Sequence, residues 1–171
     1  MADGPPHEYL SVRVQVGWGD CDPAGIVFYP RFYAWMDTVS HVLAREMGIR
    51  REAMLPPGLD LVGLPVVATH AEFLSPARMD DLLEVRSWVA RVGRSSLSLR
   101  HEITRLNGDG GEEVLVRGRE DRVFTGRDEQ GGMQARELTP RMRQALARFL
   151  AGSPSRTEHT PAGARETDGS S

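Results

Sequence analysis

One cysteine, Cys21, is all the chain carries, so no intrachain disulfide can staple it and dithiol redox chemistry has no second thiol. That agrees with a reducing compartment. No apolar run approaches the roughly 18 residues needed to cross a bilayer. Met1 to Glu8 carries Asp3 and Glu8 and lacks the basic, apolar, small-residue succession of a secretory signal. The expectation is a cytoplasmic protein with no membrane partner. A block of like charge is also missing: the formal net charge is -3 and the arginines are scattered. No nucleic-acid partner is therefore expected, and any contact with a polyanion must be local. No fixed-period repeat exists, which argues against a solenoid. With 40% apolar and 26% charged residues over 171 positions, the chain suits one soluble domain that can bury a core.

What is present is periodicity. From Tyr9 to Gly19, Leu10, Val12, Val14, Val16 and Trp18 share one parity while Ser11, Arg13 and Gln15 take the other, which predicts a strand with one wet face. Then Phe32, Met36, Val39, Leu43 and Met47 recur at helical steps, with Pro30 suited to the first turn and Gly48 to C′. Ile49 to Gly63 is a connector broken by Pro56, Pro57 and Gly58. Strands are predicted at Pro65 to Leu74, Asp81 to Val92, Ser95 to Leu106 and Glu112 to Thr125, the last three forming an antiparallel meander. Thr139 as N-cap and Pro140 open a short helix that carries Leu146, Phe149 and Leu150 before Gly152. Residues 1–8 read as a flexible start, 9–151 as the domain, and 152–171 as a disordered tail from its Ser, Thr, Pro and Gly content. A strand, a long helix and a run of antiparallel strands make an α+β layer, one helix wrapped by a sheet of about five strands.

The stretch between first strand and long helix, Gly19 to Pro30, carries two carboxylates, Asp20 and Asp22, and a glycine turn. A helix start offers unpaired N–H groups and a positive dipole end, where an oxyanion is stabilised without a metal. A carboxylate beside it can attack a carbonyl or activate water. The competing reading is an Asx-type turn that only joins strand to helix.

The run Gly-Asp-Cys-Asp-Pro-Ala-Gly-Ile-Val from Gly19 to Val27 precedes the aromatic pair Phe28 and Tyr29, then Pro30 and a helix with Trp35 and Asp37. It resembles the active-site segment of bacterial 4-hydroxybenzoyl-CoA thioesterases. The resemblance covers roughly Ser11 to Thr125 and implies the hot-dog fold and hydrolysis of a coenzyme A thioester with no cofactor. It implies Asp22 as catalytic carboxylate and the backbone amide of Tyr29 as oxyanion donor. It also implies Asp37 near the acyl pocket, Arg91, Arg94, Ser95 and Ser96 at the turn that meets the coenzyme A phosphates, and a site built between subunits of a homodimer or homotetramer. Asp20 is left structural, and Pro23 and Gly25 shape the turn.

Other candidates are weaker on their residues alone. Cys21 lies between two anions, which disfavour its thiolate, so packing is expected. Asp37 and His41 stand one helical turn apart, an acid/base pair or a structural i,i+4 pair. His70 and His101 lack partners at metal spacing and are expected in core or interface; His7 and His159 receive no role. The turn at Arg91 to Ser96 can equally be a solvated hairpin. Hot-dog dehydratases place a His five positions after the catalytic Asp, and here Val27 and Gly25 stand five after Asp22 and Asp20. A non-catalytic acyl-thioester-binding or assembly module is the alternative of a different class. The resemblance of the motif to the aryl-CoA branch of the family, together with Phe28, Tyr29, Phe32 and Trp35 near it, implies an aryl acyl group; the competing reading of these aromatics is helix core. Leu64 is apolar where a ring hydroxyl would want a polar side chain.

Overall fold

The computed structural model describes residues 8–49 and 61–151. Most of the Pro/Gly connector, the first seven residues and the expected tail at 152–171 lie outside the described residues.

β1 (Leu10–Gln15) keeps the predicted alternation: Leu10, Val12 and Val14 pack on the core while Ser11, Arg13 and Gln15 are exposed. It stops before Trp18, which the alternation placed on the buried face and which is in fact 82% exposed. The reason is local. Asp20 accepts the Gly17 N–H at 2.9 Å and closes a 3-10 turn over Trp18–Asp20, so the backbone leaves the pleat.

α1 (Pro30–Glu46) buries Phe32, Met36, Val39 and Leu43, with Met47 just past its end. Gly48 terminates it at φ 80°, a conformation glycine adopts without a Cβ penalty, and Ile49 N–H reaches back to Ala44 O at 2.9 Å. β2 (Leu61–Gly63), β3 (Val66–Phe73), β4 (Leu82–Val92), β5 (Ser96–Leu106) and β6 (Glu112–Val123) follow. The main sheet is antiparallel in the order β1-β4-β5-β6-β3, so the predicted meander stands and β3 ends up at the far edge. β2 forms a second sheet with β7 (Thr125–Arg127) and β8 (Met133–Ala135). Those three-residue strands are too short to show an alternation in sequence. α2 (Pro140–Ala147) starts as predicted, with Thr139 Oγ1 accepting Met142 N–H at 3.3 Å.

The core sits between α1 and the sheet as two apolar clusters. One gathers Val16, Val27, Phe32, Met36 and Val39 around the N-terminal half of α1. The other gathers Leu43, Met47, Leu97, Phe124 and Leu146 around its C-terminal half. Each large side chain buried there contributes about 1.5–3 kcal/mol. The helix comes close to the sheet at Gly118, where an added Cβ would run into Met36 Sδ. The five-stranded antiparallel sheet packed on one long helix is the hot-dog fold that the motif implied. No helix among the described residues is long and apolar enough to cross a membrane.

Candidate active site

The Gly19 to Pro30 segment folds by its own short-range bonds. Cys21 and Val27 form an isolated antiparallel bridge, Asp22 N–H donates to Ile26 O at 2.9 Å, and Gly25 N–H returns to Asp22 O at 2.9 Å. Gly25 sits at φ 75°, which the reversal requires and which glycine supplies. Asp20 belongs to the frame: one carboxylate oxygen holds Gly17 N–H and the other meets Arg31 at 3.3 Å, while Arg31 also donates to Gly19 O at 2.8 Å. Asp22 does make the Asx-type turn, its Oδ1 accepting Ala24 N–H at 2.8 Å. That occupies one oxygen. Oδ2 has no partner among the described residues, and the side chain lines an open groove with Cys21, Pro23, Phe28 and Pro30. Cys21 is a free, half-buried thiol packed beside the N-terminal cluster.

At the mouth of α1 the donors are nearly all consumed. Pro30 has no N–H, Arg31 N–H turns back to Phe28 O at 2.9 Å, and Phe32 N–H turns back to Tyr29 O at 3.2 Å. Phe28 N–H is held by Asp20 O at 2.9 Å. The Tyr29 amide is the remaining donor, with no partner among the described residues, at the positive end of a 17-residue helix. Its ring is exposed and makes edge contacts with Phe28, Tyr33 and Phe73. Phe32 is buried and touches Trp35 and Phe73, so the aromatics near Asp22 divide into core and surface members.

Asp37 stands eight residues beyond Tyr29, about 12 Å along the helix axis. It is half-exposed, and its strongest partner is one that sequence spacing did not suggest. Arg122 Nη2, from β6, donates to Asp37 Oδ1 at 2.6 Å, while His41 Nδ1 lies 3.7 Å from Oδ2. Arg122 is almost fully buried and also holds Glu120. Burial works against the Glu120 charge, but contact with His101 and then Arg122 more than reverses this and brings its pKa down to about 2. His101 is a buried core histidine; His70 sits exposed on the β3 edge beside Glu72.

The hairpin at Arg91 to Ser96 lies elsewhere. Val16 N–H bonds Asp81 O, and Arg91 is ten residues further along β4, about 30 Å at strand spacing. Within one protomer, then, the Asp22 turn and this hairpin occupy opposite ends of the sheet. Gly93 N–H donates to Ser96 O at 2.7 Å across the turn, and Arg91 and Arg94 reach solvent. Arg94 pairs with Glu137 at 2.9 Å, and Arg143 of α2 donates to the Arg94 carbonyl at 3.0 Å. Arg143 brings a third cation to the hairpin, one separated from Arg94 by 49 positions in sequence and so invisible to motif reading.

Comparison with known proteins bears on this geometry. Residues 24–123 match the model of the thioesterase superfamily. The chain is 31% identical over 121 residues to 4-hydroxybenzoyl-CoA thioesterase from Pseudomonas sp. (strain CBS-3), covering 70% of this chain and 84% of that one. It is 27% identical over 111 residues to 1,4-dihydroxy-2-naphthoyl-CoA hydrolase from Prochlorococcus marinus (strain MIT 9515), covering 60% and 74%. It superposes with a TM-score of 0.73 and 28% identity on the crystal structure of a 4-hydroxybenzoyl CoA thioesterase carrying an Asp-to-Asn substitution, complexed with 4-hydroxybenzoyl CoA, over 81% of this chain and 98% of that one. A five-stranded sheet packed on one helix, matched over that length, makes this chain a member of the thioesterase superfamily.

Proposed function

We infer that this protein hydrolyses acyl-CoA thioesters bearing an aryl acyl group, of the benzoyl or hydroxybenzoyl type. Asp22 supplies the carboxylate, as nucleophile or as general base toward water. The Tyr29 amide receives the oxyanion as the thioester carbonyl becomes tetrahedral, and the coenzyme leaves as thiolate. The observation that carries the reading is that a carboxylate oxygen and an amide, neither with a partner among the described residues, stand at one junction. Both belong to a segment that the turn and helix start hold rigid. The exposed aromatic edges of Phe28, Tyr29 and Phe73 provide an apolar rim suited to an aromatic ring. The names of the relatives, which act on hydroxylated aryl-CoA compounds, support the same acyl class. Asp37 is assigned to the acyl end of the pocket, and Arg91, Arg94, Ser95 and Ser96 to the coenzyme A phosphates.

Such a site requires more than one protomer, because the hairpin and the Asp22 turn are about 30 Å apart along one sheet. β3 is an edge strand, paired with β6 on one side only, with exposed Val66, Val67 and Phe73, a surface suited to a second copy of the chain. A homodimer or homotetramer is the expected state. A monomer mass in light scattering at micromolar concentration would rule it out. The activity is tested by thiol release, read with a DTNB-type colour assay, over aryl and straight-chain acyl-CoAs. Benzoyl-type substrates are expected to show the highest kcat/KM; a flat trace over the whole panel would leave a binding module instead.

A further inference from the structure

The two apolar clusters of the core are separated by a band of polar and charged groups that the proposed chemistry does not use. Ser87 Oγ lies 2.6 Å from His101 Nδ1, and His101 Nε2 faces Glu120 Oε2 at 3.5 Å. Glu120 Oε2 accepts from Ser40 Oγ at 3.2 Å and from Arg122 Nε at 2.9 Å. Arg122 Nη1 donates to Leu64 O at 3.0 Å and Nη2 to Asp37 Oδ1 at 2.6 Å. Side-chain exposure rises along this series from 0% at His101 through 4% at Glu120 and 6% at Arg122 to 45% at Asp37. The band joins α1, three strands and the backbone just before β3, and it reaches the surface at Asp37.

Stability alone does not account for it. Removing two charges from water costs several kcal/mol per ion, and well-packed apolar side chains in such places serve folding as well or better. What buried charges supply is fixed geometry. The Arg122 fork is committed in every direction: Nε and Nη2 to Glu120, Nη1 to the Leu64 carbonyl, Nη2 to Asp37. A guanidinium so held cannot swing, and lysine, with a point charge on a flexible stem, would not reproduce the set. All 21 basic residues of the chain are arginine. The Asp37 carboxylate is thereby pinned by one oxygen, leaving Oδ2 turned to the surface with only His41 at 3.7 Å.

We propose that Arg122, braced by Glu120, is a positioning residue that presents Asp37 to the acyl group as a carboxylate with a single orientation and one free oxygen. The inference rests on the assignment of Asp37 to the acyl pocket. Its ligand is a hydrogen-bond donor on the acyl group, such as a ring hydroxyl, since a carboxylate oxygen can only accept. Leu64, which offers no polar side chain to such a donor, contributes through its carbonyl by locking Arg122.

The test is a double-mutant cycle on the full-length protein with 4-hydroxybenzoyl-CoA as probe. One axis is Asp37→Asn; the other is the neutral pair Glu120→Gln/Arg122→Gln, which removes both buried charges together. With Asp37 intact the pair is expected to raise KM about tenfold, the scale of one charge-assisted hydrogen bond, and to alter kcat by less than about threefold. With Asn at 37 the same pair should change KM by less than about twofold, because the route through Asp37 is gone. Equal KM effects in both backgrounds would mean a merely structural role and overturn the proposal. Unchanged kinetics in Asp37→Asn alone would instead remove Asp37 from the acyl pocket, and the proposal with it. If the neutral pair does not fold, Arg122→Lys keeps the buried charge, loses the fork, and takes its place in the same cycle: a KM effect that vanishes with Asn at 37 supports the proposal, and one that persists overturns it.

Discussion

The Asp22 turn and the Glu120–Arg122 band hold carboxylates in opposite ways. Asp22 is fastened by its own neighbours, Ala24 and Ile26, and keeps an oxygen free at the wall of an open groove. Glu120 takes hydrogen bonds from Ser40 and Arg122 on one oxygen, with His101 3.5 Å from that same oxygen. These neighbours are drawn from α1 and two strands, and Glu120 is buried from solvent. A group that must react needs an unspent lone pair and access; a group that must hold another in place needs no access. On the proposed function the difference separates chemistry from geometry, and it makes the two regions respond differently to the same isosteric change.

The largest effect is expected at the band. Glu120→Gln leaves the Arg122 charge half-compensated in the core and should cost about 3 kcal/mol, measured as a lowered urea midpoint. The same group sets an acid limit. Its pKa is about 2 in the fold against an ordinary 4.5, so its stabilisation is complete above pH 4.5 and is lost as pH falls toward 2. The neutral pair Glu120→Gln/Arg122→Gln should lack that acid slope; a slope unchanged in this variant would place its origin elsewhere.

Next comes Asp22→Asn. The amide oxygen can still accept Ala24 N–H, so the turn and the urea midpoint should survive while turnover falls by about two orders of magnitude or more. Near-native thiol release from this variant would remove Asp22 from the chemistry. The smallest effect belongs to the hairpin. Arg94 is exposed and already paired with Glu137, so Arg94→Ala is expected to raise KM about threefold at low salt, less at high salt, with kcat unaltered. A fall in kcat at constant KM would show that the hairpin does not meet the nucleotide.

These regions were also unequally legible. The turn could be read in sequence because its determinants are consecutive: Asp22, Pro23, Gly25 and Pro30 each act on a backbone within a few residues. The α1 stripe was legible for the same reason, its burial following from a 3.6-residue period. Trp18 misled, since parity cannot register the side-chain bond from Asp20 that ends the strand. His101 was expected in core or interface, but its neighbours there were not legible, because Ser87 and Glu120 reach it only through the pairing of β4, β5 and β6.

By itself the sequence determined the strands of the main sheet and the two helices, their order, the Asp22 turn and the helix that opens at Tyr29, all of which depend on interactions between residues close along the chain. Only the tertiary structure decided that Arg122 would meet Asp37 across 85 positions. It alone set the Asp22 turn and the Arg91 hairpin at opposite ends of the sheet and left β3 at an open edge. Strand order and register set those distances, and they are fixed by how two faces of apolar side chains pack, a property that no short window of residues contains.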